Sequence, residues 1–403
     1  MHEAGARALE AFLAERLREE EAPVCGANHL PRRMLLQDRR AKTLRTILGT
    51  VRLVRGRYVC PVCGAVRYPA DERLGVVGTG FSPGARRMMA RAGAQESFAE
   101  AAADLALFAN LRVDAKDAER VAETTGQRVE TWMQHEGAMA RLMPPTRERP
   151  ETLYIGFDGT GAPMRPEELT ESRGKAPGAK ARTREVKVGC VFTQSALDQD
   201  GNPVREENST TYAGAIEPSV DFGHRIHAEA MRRGLRNAGR VVVLSDGAPY
   251  NKTIVAEHFP QALHILDIRH AQEHLADFIR DVCRQPLEAT LHKRLRDLLH
   301  QGKSHALLRR IQAALPRHGP RRALGEKAIA YFRDNAHAMR YDRYRAMGLF
   351  AGSGVVEAAC RTLVGQRLKR SGMFWSVRGA NAILALRCSF ASRRFEQFWE
   401  DAA

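Results

Sequence analysis

The chain has 403 residues, with 63 Lys and Arg against 47 Asp and Glu, which gives a formal net charge of +16. A mean hydropathy of −0.39 and the absence of any apolar run near the ~18 residues that cross a bilayer argue against a transmembrane protein, and ordinary Gly and Pro counts exclude fibrous and low-complexity classes. A chain with this much positive charge attracts polyanions, so nucleic acid is the first candidate for a partner. No membrane partner is expected.

The first 21 residues predict a helix, with apolar Leu9, Phe12, Leu13 and Leu17 at helical spacing rather than an apolar signal core. We therefore expect a protein that stays in the cytoplasm, with reduced thiols. The seven cysteines are an odd number and are spread along the chain, which does not fit a disulfide framework.

Residues 22–80 predict a small basic module related to a zinc ribbon. Apolar and polar residues alternate from Thr46 to Val54, which predicts a strand that leads into the Cys60-x-x-Cys63 turn. Such a turn offers two thiolates to a tetrahedral zinc ion, and a structural site needs two more ligands. Upstream there is only Cys25, so His29 is the candidate fourth ligand. The alternative is a ribbon that holds no metal and is stable through packing alone.

Residues 81–145 predict three short helices, with Ser82, Ser97 and Asp114 as N-caps. Three short helices with tight links suggest a helix-turn-helix region that binds DNA, with Lys116 and Arg120 facing a groove and Arg128 facing the backbone. A helical connector with a solvated basic face is the alternative. Pro144, Pro145 and Pro150 predict a linker that ends this region.

Residues 150–403 predict an α/β domain with a mixed sheet, followed by an almost wholly helical tract that includes an insertion at about 275–345. The predicted strands cover 153–157, 186–192, 210–213, 241–244 and 263–266. Three acids, Asp158, Asp246 and Asp267, directly follow predicted strands. Because functional groups collect at the carboxyl ends of strands in such sheets, we expect these acids to share one crevice.

Clustered carboxylates repel one another unless cations neutralise them, so this arrangement favours a site for two Mg²⁺ or Mn²⁺ ions acting on phosphodiesters. Glycines follow Asp158 and Asp246, and we expect them to leave room for a phosphate and its metal. A third acid is needed, and Glu357, early in a helix after Gly352-Ser353-Gly354, is the candidate. The alternatives are a simple Asp-Gly turn at each aspartate and, for Glu357, a first-turn residue that complements the helix dipole.

Several further stretches carry a family resemblance: Asp158 to Gly161, Val186 to Thr193, Ser209 to Glu217, Gly352 to Trp375 and Arg378 to Ile383. With the N-terminal ribbon, they resemble the ISKra family of bacterial insertion-sequence transposases, which is similar to Mutator-like DDE transposases. The resemblance implies a ribonuclease-H-like catalytic fold with a helical insertion, and it implies a bacterial, nucleoid-associated protein. The triad of the family falls on Asp158, Asp246 and Glu357.

The wider group also carries a Cys-or-Asp, x, x, His motif, which Asp267 and His270 match. The resemblance implies that these two residues support the active site or contact the DNA beside it, although a lone His270 is also compatible with a packed core histidine. The incomplete N-terminal cysteine set departs from the family pattern. This departure affects the expectation of a zinc site and leaves the expectation of a catalytic triad unchanged.

Basic side chains outside the acids predict further DNA contacts. A loop at 171–187 is rich in Lys and Arg, a second basic group follows Glu357, and Trp375 is a candidate for stacking on an extruded base. Solvated charge and a core tryptophan are the alternatives. The candidate DNA-binding residues here are Arg173, Lys175, Lys180, Arg182, Arg184, Lys187, Arg367, Lys369, Arg370 and Trp375.

The sequence as a whole predicts a DNA transposase that binds terminal inverted repeats and target DNA, hydrolyses and transfers phosphodiesters, and acts as a homodimer or larger assembly. Two alternatives remain: a structure-selective DNA nuclease of the same fold, and an inactive DNA-binding regulator. A glycosidase that uses two carboxylates fits the basic charge and the third acid poorly.

Overall fold

The computed structural model describes residues 2–18, 20–142, 149–170, 182–283 and 288–401. The chain divides into two compact units, Met1–Val129 together with Phe395–Ala403, and Glu130–Arg394. Each unit has its own buried core.

A long antiparallel hairpin organises the N-terminal part of the first unit. Strand pairing runs from the Thr46/Gly49 pair at the turn to Leu35/Val59, with one irregularity between Leu36 and Asp38, and Gly49 adopts a φ of 120°, which favours glycine. The elements of this part are α1 (His2–Arg16), β1 (Val24–Cys25), β2 (Arg32–Arg33), β3 (Leu35–Thr46), β4 (Gly49–Val59), β5 (Val66–Arg67) and α2 (Pro69–Arg73).

Three helices follow: α3 (Pro83–Gln95), α4 (Phe98–Ala109) and α5 (Ala115–Leu142). All three predicted caps are confirmed. The Ser82 hydroxyl accepts from the Ala85 amide at 3.2 Å, Ser97 forms a capping box with Glu100, and Asp114 accepts from the Asp117 amide at 2.6 Å.

The expectation that the third helix is short is wrong, because α5 runs for 28 residues. Buried positions recur every three or four residues from Ala118 to Val129, so the helical periodicity does not stop where the prediction stopped it. The boundary between the two units falls within α5. Of the predicted linker, Pro144 and Pro145 lie outside the described residues, and Pro150 comes just before the strand Thr152–Pro163.

The second unit is built on a mixed sheet with the strand order β11-β10-β6-β7-β8, and β9 also pairs with β7. Strands β6, β10 and β11 are parallel to one another, whereas β7 is antiparallel to β6. The strands are β6 (Thr152–Pro163), β7 (Thr183–Leu197), β8 (Pro203–Arg205), β9 (Thr211–Ala215), β10 (Arg240–Ser245) and β11 (Leu263–Leu266).

Helices cover both faces of this sheet, so the central strands are buried on both sides. Ile155 and Val243 face one apolar cluster with Phe222 and Ile254, and Tyr154 and Leu244 face the other. The helices of the unit are α6 (Ser219–Arg232), α7 (Pro249–His258), α8 (Ile268–Val282), α9 (Glu288–His300), α10 (Ser304–Ala313), α11 (Pro320–Asp334), α12 (Tyr341–Ala346), α13 (Gly354–Ala359), α14 (Gln366–Leu368) and α15 (Val377–Ala391).

A π-helical stretch, Cys360–Gly365, joins α13 to α14, and the last helix of the chain, α16 (Phe395–Asp401), belongs to the first unit. The predicted α/β class with a mixed sheet is confirmed for the second unit. Within the described residues, no helix is both long enough and apolar enough to span a membrane.

Candidate functional site

Strand register brings Asp158, Asp246 and Asp267 to one level of the sheet. Phe157 pairs with Ser245 on β10, and Ser245 pairs with Leu266 on β11, so the next residue of each strand is an aspartate. One expectation needs correction. Strand β6 does not end at Asp158 but continues to Pro163, because β7 pairs with it throughout. Asp158 therefore lies within a strand, at the height where its two parallel neighbours end.

The Asp158 carboxylate lies in a partly buried, negatively charged environment. Burial raises its pKa above the ordinary value, the charges of Asp246 and Glu357 raise it further, and the Gly159 amide, which donates to Oδ1 at 2.7 Å, lowers it. The Cys360 thiol lies 3.9 Å from Oδ2. Asp158 thus feels both other acids of the predicted triad, in a setting where a bound cation would relieve the repulsion.

Asp246 begins the loop between β10 and α7 and is held at one oxygen. The Ala248 amide donates to Oδ1 at 3.0 Å, and the fully buried Asn251 side chain donates to the same oxygen. Asn251 thereby orients the carboxylate from the first turn of α7.

The glycines beside the two aspartates do not leave the open space that we expected. A Cβ on Gly247 would collide with the ring of Tyr331 on α11, and a Cβ on Gly159 would lie 2.5 Å from Oε1 of Glu185. At Gly247 a side chain would have to displace a packed aromatic ring, whereas at Gly159 it would meet the flexible end of a glutamate.

Glu357 is carried by α13, which packs on the sheet next to Asp158. A Cβ on Gly156 of β6 would lie 3.7 Å from Cβ of Val356, and Cys360, one turn after Glu357, reaches Asp158. The Glu357 side chain is 29% exposed and lies 3.5 Å from Nη1 of Arg269. The helix therefore presents Glu357 on the side of the sheet to which Asp158 also points.

Asp267, His270 and Glu357 form the more compact group. Each has a ligand atom within 4.8 Å of those of the other two, whereas Asp158, Asp246 and Glu357 do not form such a group in the part of the chain described. Asp267 is fully buried and its oxygens are already used, because Oδ1 accepts from the Arg269 amide at 2.6 Å and Oδ2 accepts from the amide and hydroxyl of Ser353. These contacts suit a positioning role better than metal binding.

A second cluster lies in the N-terminal unit, where Cys25, His29, Cys60 and Cys63 have ligand atoms within 4.8 Å of one another. The Cys25 and Cys63 sulfurs are 3.7 Å apart, and a tetrahedral zinc ion with Zn–S bonds of about 2.3 Å requires an edge of about 3.8 Å. His29 Nδ1 lies 2.7 Å from the Leu30 carbonyl, and Nε2 lies 3.3 Å from the Cys60 sulfur.

The electrostatics of this cluster act in two directions. Burial and the neighbouring thiols raise the pKa of Cys25, and the hydrogen bond to the Leu30 carbonyl is the main cause that raises the pKa of His29 to about 9, so zinc would have to displace a proton from each. Backbone amides of Cys63 and Val62 lower the pKa of Cys60 to about 6, which favours the thiolate that zinc binds. The hydrogen bond between Nδ1 and the Leu30 carbonyl fixes the orientation of the His29 imidazole and turns Nε2 toward the Cys60 sulfur. The cluster can bind zinc.

The predicted DNA-binding residues fall into different environments. Arg173, Lys175 and Lys180 lie outside the described residues. Arg182 is exposed and Arg184 is half-buried. Lys187 is 7% exposed, where it pairs with Glu185 at 2.8 Å and donates to the Glu217 carbonyl. The Lys187 side chain is thus mostly buried and paired with an exposed glutamate, which leaves it little surface for a DNA phosphate.

One residue of the second basic group, Arg367, is also internal, as is Trp375. Arg367 is fully buried beneath the Trp375 ring, and the Trp375 indole, 5% exposed, donates to the Leu368 carbonyl at 3.0 Å. Stacking on a base requires an exposed ring. Trp375 is therefore a core tryptophan, which was the alternative to base stacking. Lys369 is exposed and donates to Thr160 at 2.6 Å, and Arg370 is half-buried.

The candidate contacts of the helical region are all at the surface. Lys116 pairs with Glu119 at 3.4 Å, Arg120 pairs with Asp117, and Arg128 stacks over the Phe398 ring at 5.6 Å. These exposed cations are available for a partner, but each already has an intramolecular contact.

Sequence reasoning missed Asn251 and Tyr331, which contact the Asp246-Gly247 pair, and it missed the link from Asp267 through Ser353. Ser353 lies within the Gly-Ser-Gly signal that placed Glu357, so a positioning role could have been inferred from that turn. Asn251 and Tyr331 carry no local signal, because their contacts are set by how α7 and α11 pack.

Comparison with known proteins finds a distant structural similarity and no family match. No protein-family model matches the chain, and no curated protein matches it. Among solved structures, it is similar to one described as a Drosophila P element transposase strand transfer complex, with 9% sequence identity, a TM-score of 0.38, and coverage of 81% of this chain and 96% of the other.

Proposed function

We propose that the protein is a DDE-type DNA transposase of the kind that the ISKra resemblance implies. It would bind the terminal inverted repeats of an insertion sequence and catalyse phosphodiester hydrolysis and strand transfer. The ribonuclease-H-like fold and the catalytic triad of Asp158, Asp246 and Glu357 are parts of this proposal.

The observation that carries the proposal is the convergence of the three acids. Asp158 and Asp246 follow paired residues of neighbouring parallel strands, and the charge of Glu357, 199 residues from Asp158 in the chain, acts on the Asp158 carboxyl. Burial and the charges of the other two acids raise the pKa of Asp158, so the arrangement costs stability without a cation, and perturbed acids of this kind collect at functional sites.

Asp158, Asp246 and Glu357 are the residues that would hold Mg²⁺ or Mn²⁺, because carboxylate oxygens are the ligands that these ions prefer. The bound ions would supply activation of a water or a 3′-hydroxyl and stabilisation of the leaving oxygen. The chain itself contributes orientation. Asn251 fixes one oxygen of Asp246, and Ser353 lies beside Glu357 Oε1 at 3.3 Å.

In the N-terminal unit, Cys25, His29, Cys60 and Cys63 would hold one structural zinc ion, and the ribbon and helices would recognise the repeat sequence. The N-terminal unit would bind the DNA ends, and the second unit, which contains the three acids, would catalyse cutting and joining. A homodimer or larger assembly is proposed because two element ends must be brought together.

The test uses a labelled duplex that carries the terminal repeats of the element that encodes the protein. Wild-type protein with Mg²⁺ should cut at the repeat and join a pre-cleaved end to a target plasmid. Asp246→Asn should reduce both reactions by more than a hundredfold while end binding in EDTA stays within about twofold. Asp334→Asn, an exposed acid on α11, is the matched control and should cut normally.

The outcomes separate the alternatives. Cutting without joining of the pre-cleaved end would identify a nuclease. End binding with no metal-dependent cutting would identify a regulator. Normal cutting by Asp246→Asn would contradict the triad itself.

A further inference from the structure

The helical insertion carries more than half of the net charge of the chain. Between residues 288 and 345 there are 14 Lys and Arg against 5 Asp and Glu, a net charge of +9 out of +16. None of these cations was among the predicted DNA contacts. A charge so concentrated in one helical segment produces a local positive potential in addition to the general basic character of the chain.

Two arginines of the insertion differ from those packed on the sheet, although others, such as Arg322 beside Glu326, are paired within the fold. Arg225 pairs with Glu130 at 3.1 Å and with Glu217 at 2.7 Å, and Arg394 pairs with Glu136 at 2.6 Å, so these arginines are neutralised within the fold. By contrast, the exposed side chains of Arg309 and Arg333 have no partner among the residues that the structure describes. An arginine without an internal acid is available to an external anion.

Arg309 and Arg333 line one groove, between α10 and α11. The groove has a volume of about 520 Å³, and its lining contains no acidic residue in the described part of the chain. Its walls and floor are formed by His305, Leu308, Arg309, Gln312, Ile329 and Arg333.

The spacing of these residues makes the groove a built feature of two helices. His305 and Arg309 are four residues apart on α10, and Ile329 and Arg333 are four residues apart on α11, so each pair lies on one helix face. The inward positions Leu307, Ile311 and Phe332 anchor the same helices in the apolar core. The cations are therefore held on a packed scaffold.

We propose that the α10–α11 groove binds the sugar-phosphate backbone of duplex DNA. This inference rests on the proposed function and adds a contact surface to it. Arg309 and Arg333 would grip phosphates, Gln312 and His305 would donate hydrogen bonds, and Leu308 and Ile329 would pack against deoxyribose. The contacts carry no base recognition, so the groove would hold DNA of any sequence, as the handling of flanking or target DNA requires.

The experiment measures binding of the full-length protein to a random-sequence duplex of about 40 base pairs by fluorescence anisotropy in EDTA, over NaCl from about 50 to about 200 mM. The variant Arg309→Gln/Arg333→Gln should bind about tenfold more weakly. The slope of log K against log[NaCl] should become shallower by about 2, since each phosphate contact contributes about 0.9. The control Lys293→Gln/Arg343→Gln removes the same charge from exposed positions outside the groove and should stay within about twofold.

Unchanged affinity and slope in the groove variant would overturn the inference, as would equal losses in the groove variant and the control. Poly-glutamate should compete less well than unlabelled duplex at the same concentration of negative charge. Equal competition would also overturn the inference, because the groove would then accept any acidic polymer. Circular dichroism of both variants should match the wild type, since all four residues are exposed.

Failure of the proposed function gives a different result. If wild-type protein never cuts or joins repeat-bearing DNA, yet the groove variant loses affinity and salt slope, the groove stands and the transposase proposal falls. If the wild-type protein cuts the repeat DNA normally and the groove variant binds like the wild type, the transposase proposal is supported and the groove inference is wrong.

Discussion

The carboxylate of Asp267 receives both the backbone amide and the hydroxyl of Ser353, a residue 86 positions later in the chain. Asp267 also caps α8 through the Arg269 amide, so one buried acid joins the start of α8 to the turn that begins α13. Because Glu357 follows on α13, with Oε1 3.3 Å from the Ser353 hydroxyl, this link fixes where the third acid of the proposed triad lies.

Ser353→Ala should therefore impair DNA cutting more than it impairs folding. We expect the rate with saturating DNA to fall by about tenfold to a hundredfold and the metal concentration for half-maximal rate to rise, while the free energy of unfolding falls by about 1 kcal/mol. The control is Ser389→Ala, which removes another buried hydroxyl, one that bonds the nearby Leu386 carbonyl. Equal effects of the two substitutions on metal dependence would contradict the positioning role.

Asp158→Asn should stabilise the metal-free protein. The pKa of Asp158 is raised, so its charged form is disfavoured in the folded state and costs stability at neutral pH, and an amide removes that charge. We expect Tm in EDTA to rise by about 2 to 4 °C, or about 1 kcal/mol, and the stabilisation by Mg²⁺ to disappear. Thermal melts with and without metal measure both. A lower Tm in EDTA would count against the crowding of the three acids.

Much of the second unit was predictable because its strands are short apolar runs bounded by acids. The predicted strands at 241–244 and 263–266 fall within β10 and on β11. The extension of β6 past Asp158 was not predictable, because Gly159-Thr160-Gly161 resembles a turn and only pairing with β7 keeps it extended.

The candidate site also has parts that the sequence predicts and parts that it does not. Acids at the ends of predicted strands are a local signal, so the sequence alone named Asp158, Asp246 and Asp267. The Cys60-x-x-Cys63 turn, with Cys25 and His29 upstream, named the second cluster. The burial of Lys187, Arg367 and Trp375 depends on tertiary packing, such as the bond from Lys187 to the Glu217 carbonyl 30 positions later, which no local pattern reveals.

The N-terminal cysteine and histidine cluster should give one zinc ion per chain in purified protein. His29→Ala should lower zinc retention against a chelator by about tenfold or more, since it leaves three ligands. Metal release is followed with a colorimetric indicator after thiol modification. Cys283→Ser, which removes a thiol outside the cluster, is the control and should retain the full amount. Equal zinc content in the wild type and His29→Ala would exclude this ligand set.

Acid should destabilise the fold through His264. This histidine is buried, with Nε2 2.9 Å from the Ser245 hydroxyl, and burial lowers its pKa to about 4. Below its unfolded pKa of about 6.5 the unfolded chain binds the extra proton first, so stability that is complete above that pH is lost as the pH falls toward 4, by at most about 3 kcal/mol.

Urea unfolding across this pH range tests the assignment to His264. His264→Gln should flatten the dependence, with a remainder from His227, whose pKa is also lowered to about 4. His305→Gln, at an exposed position, should leave the dependence as in the wild type. An unchanged slope in His264→Gln would refute the assignment.

The contact between the Tyr331 ring and Gly247 bears on attempts to engineer a shorter form of the protein. Because α11 covers the backbone directly after Asp246, a shortened chain that replaces residues 288–334 with a flexible linker would expose that loop to water and remove the wall that shapes it. A minimal version would have to keep α11, or supply an aromatic side chain from another source, before any loss of DNA cutting could be attributed to the missing segment.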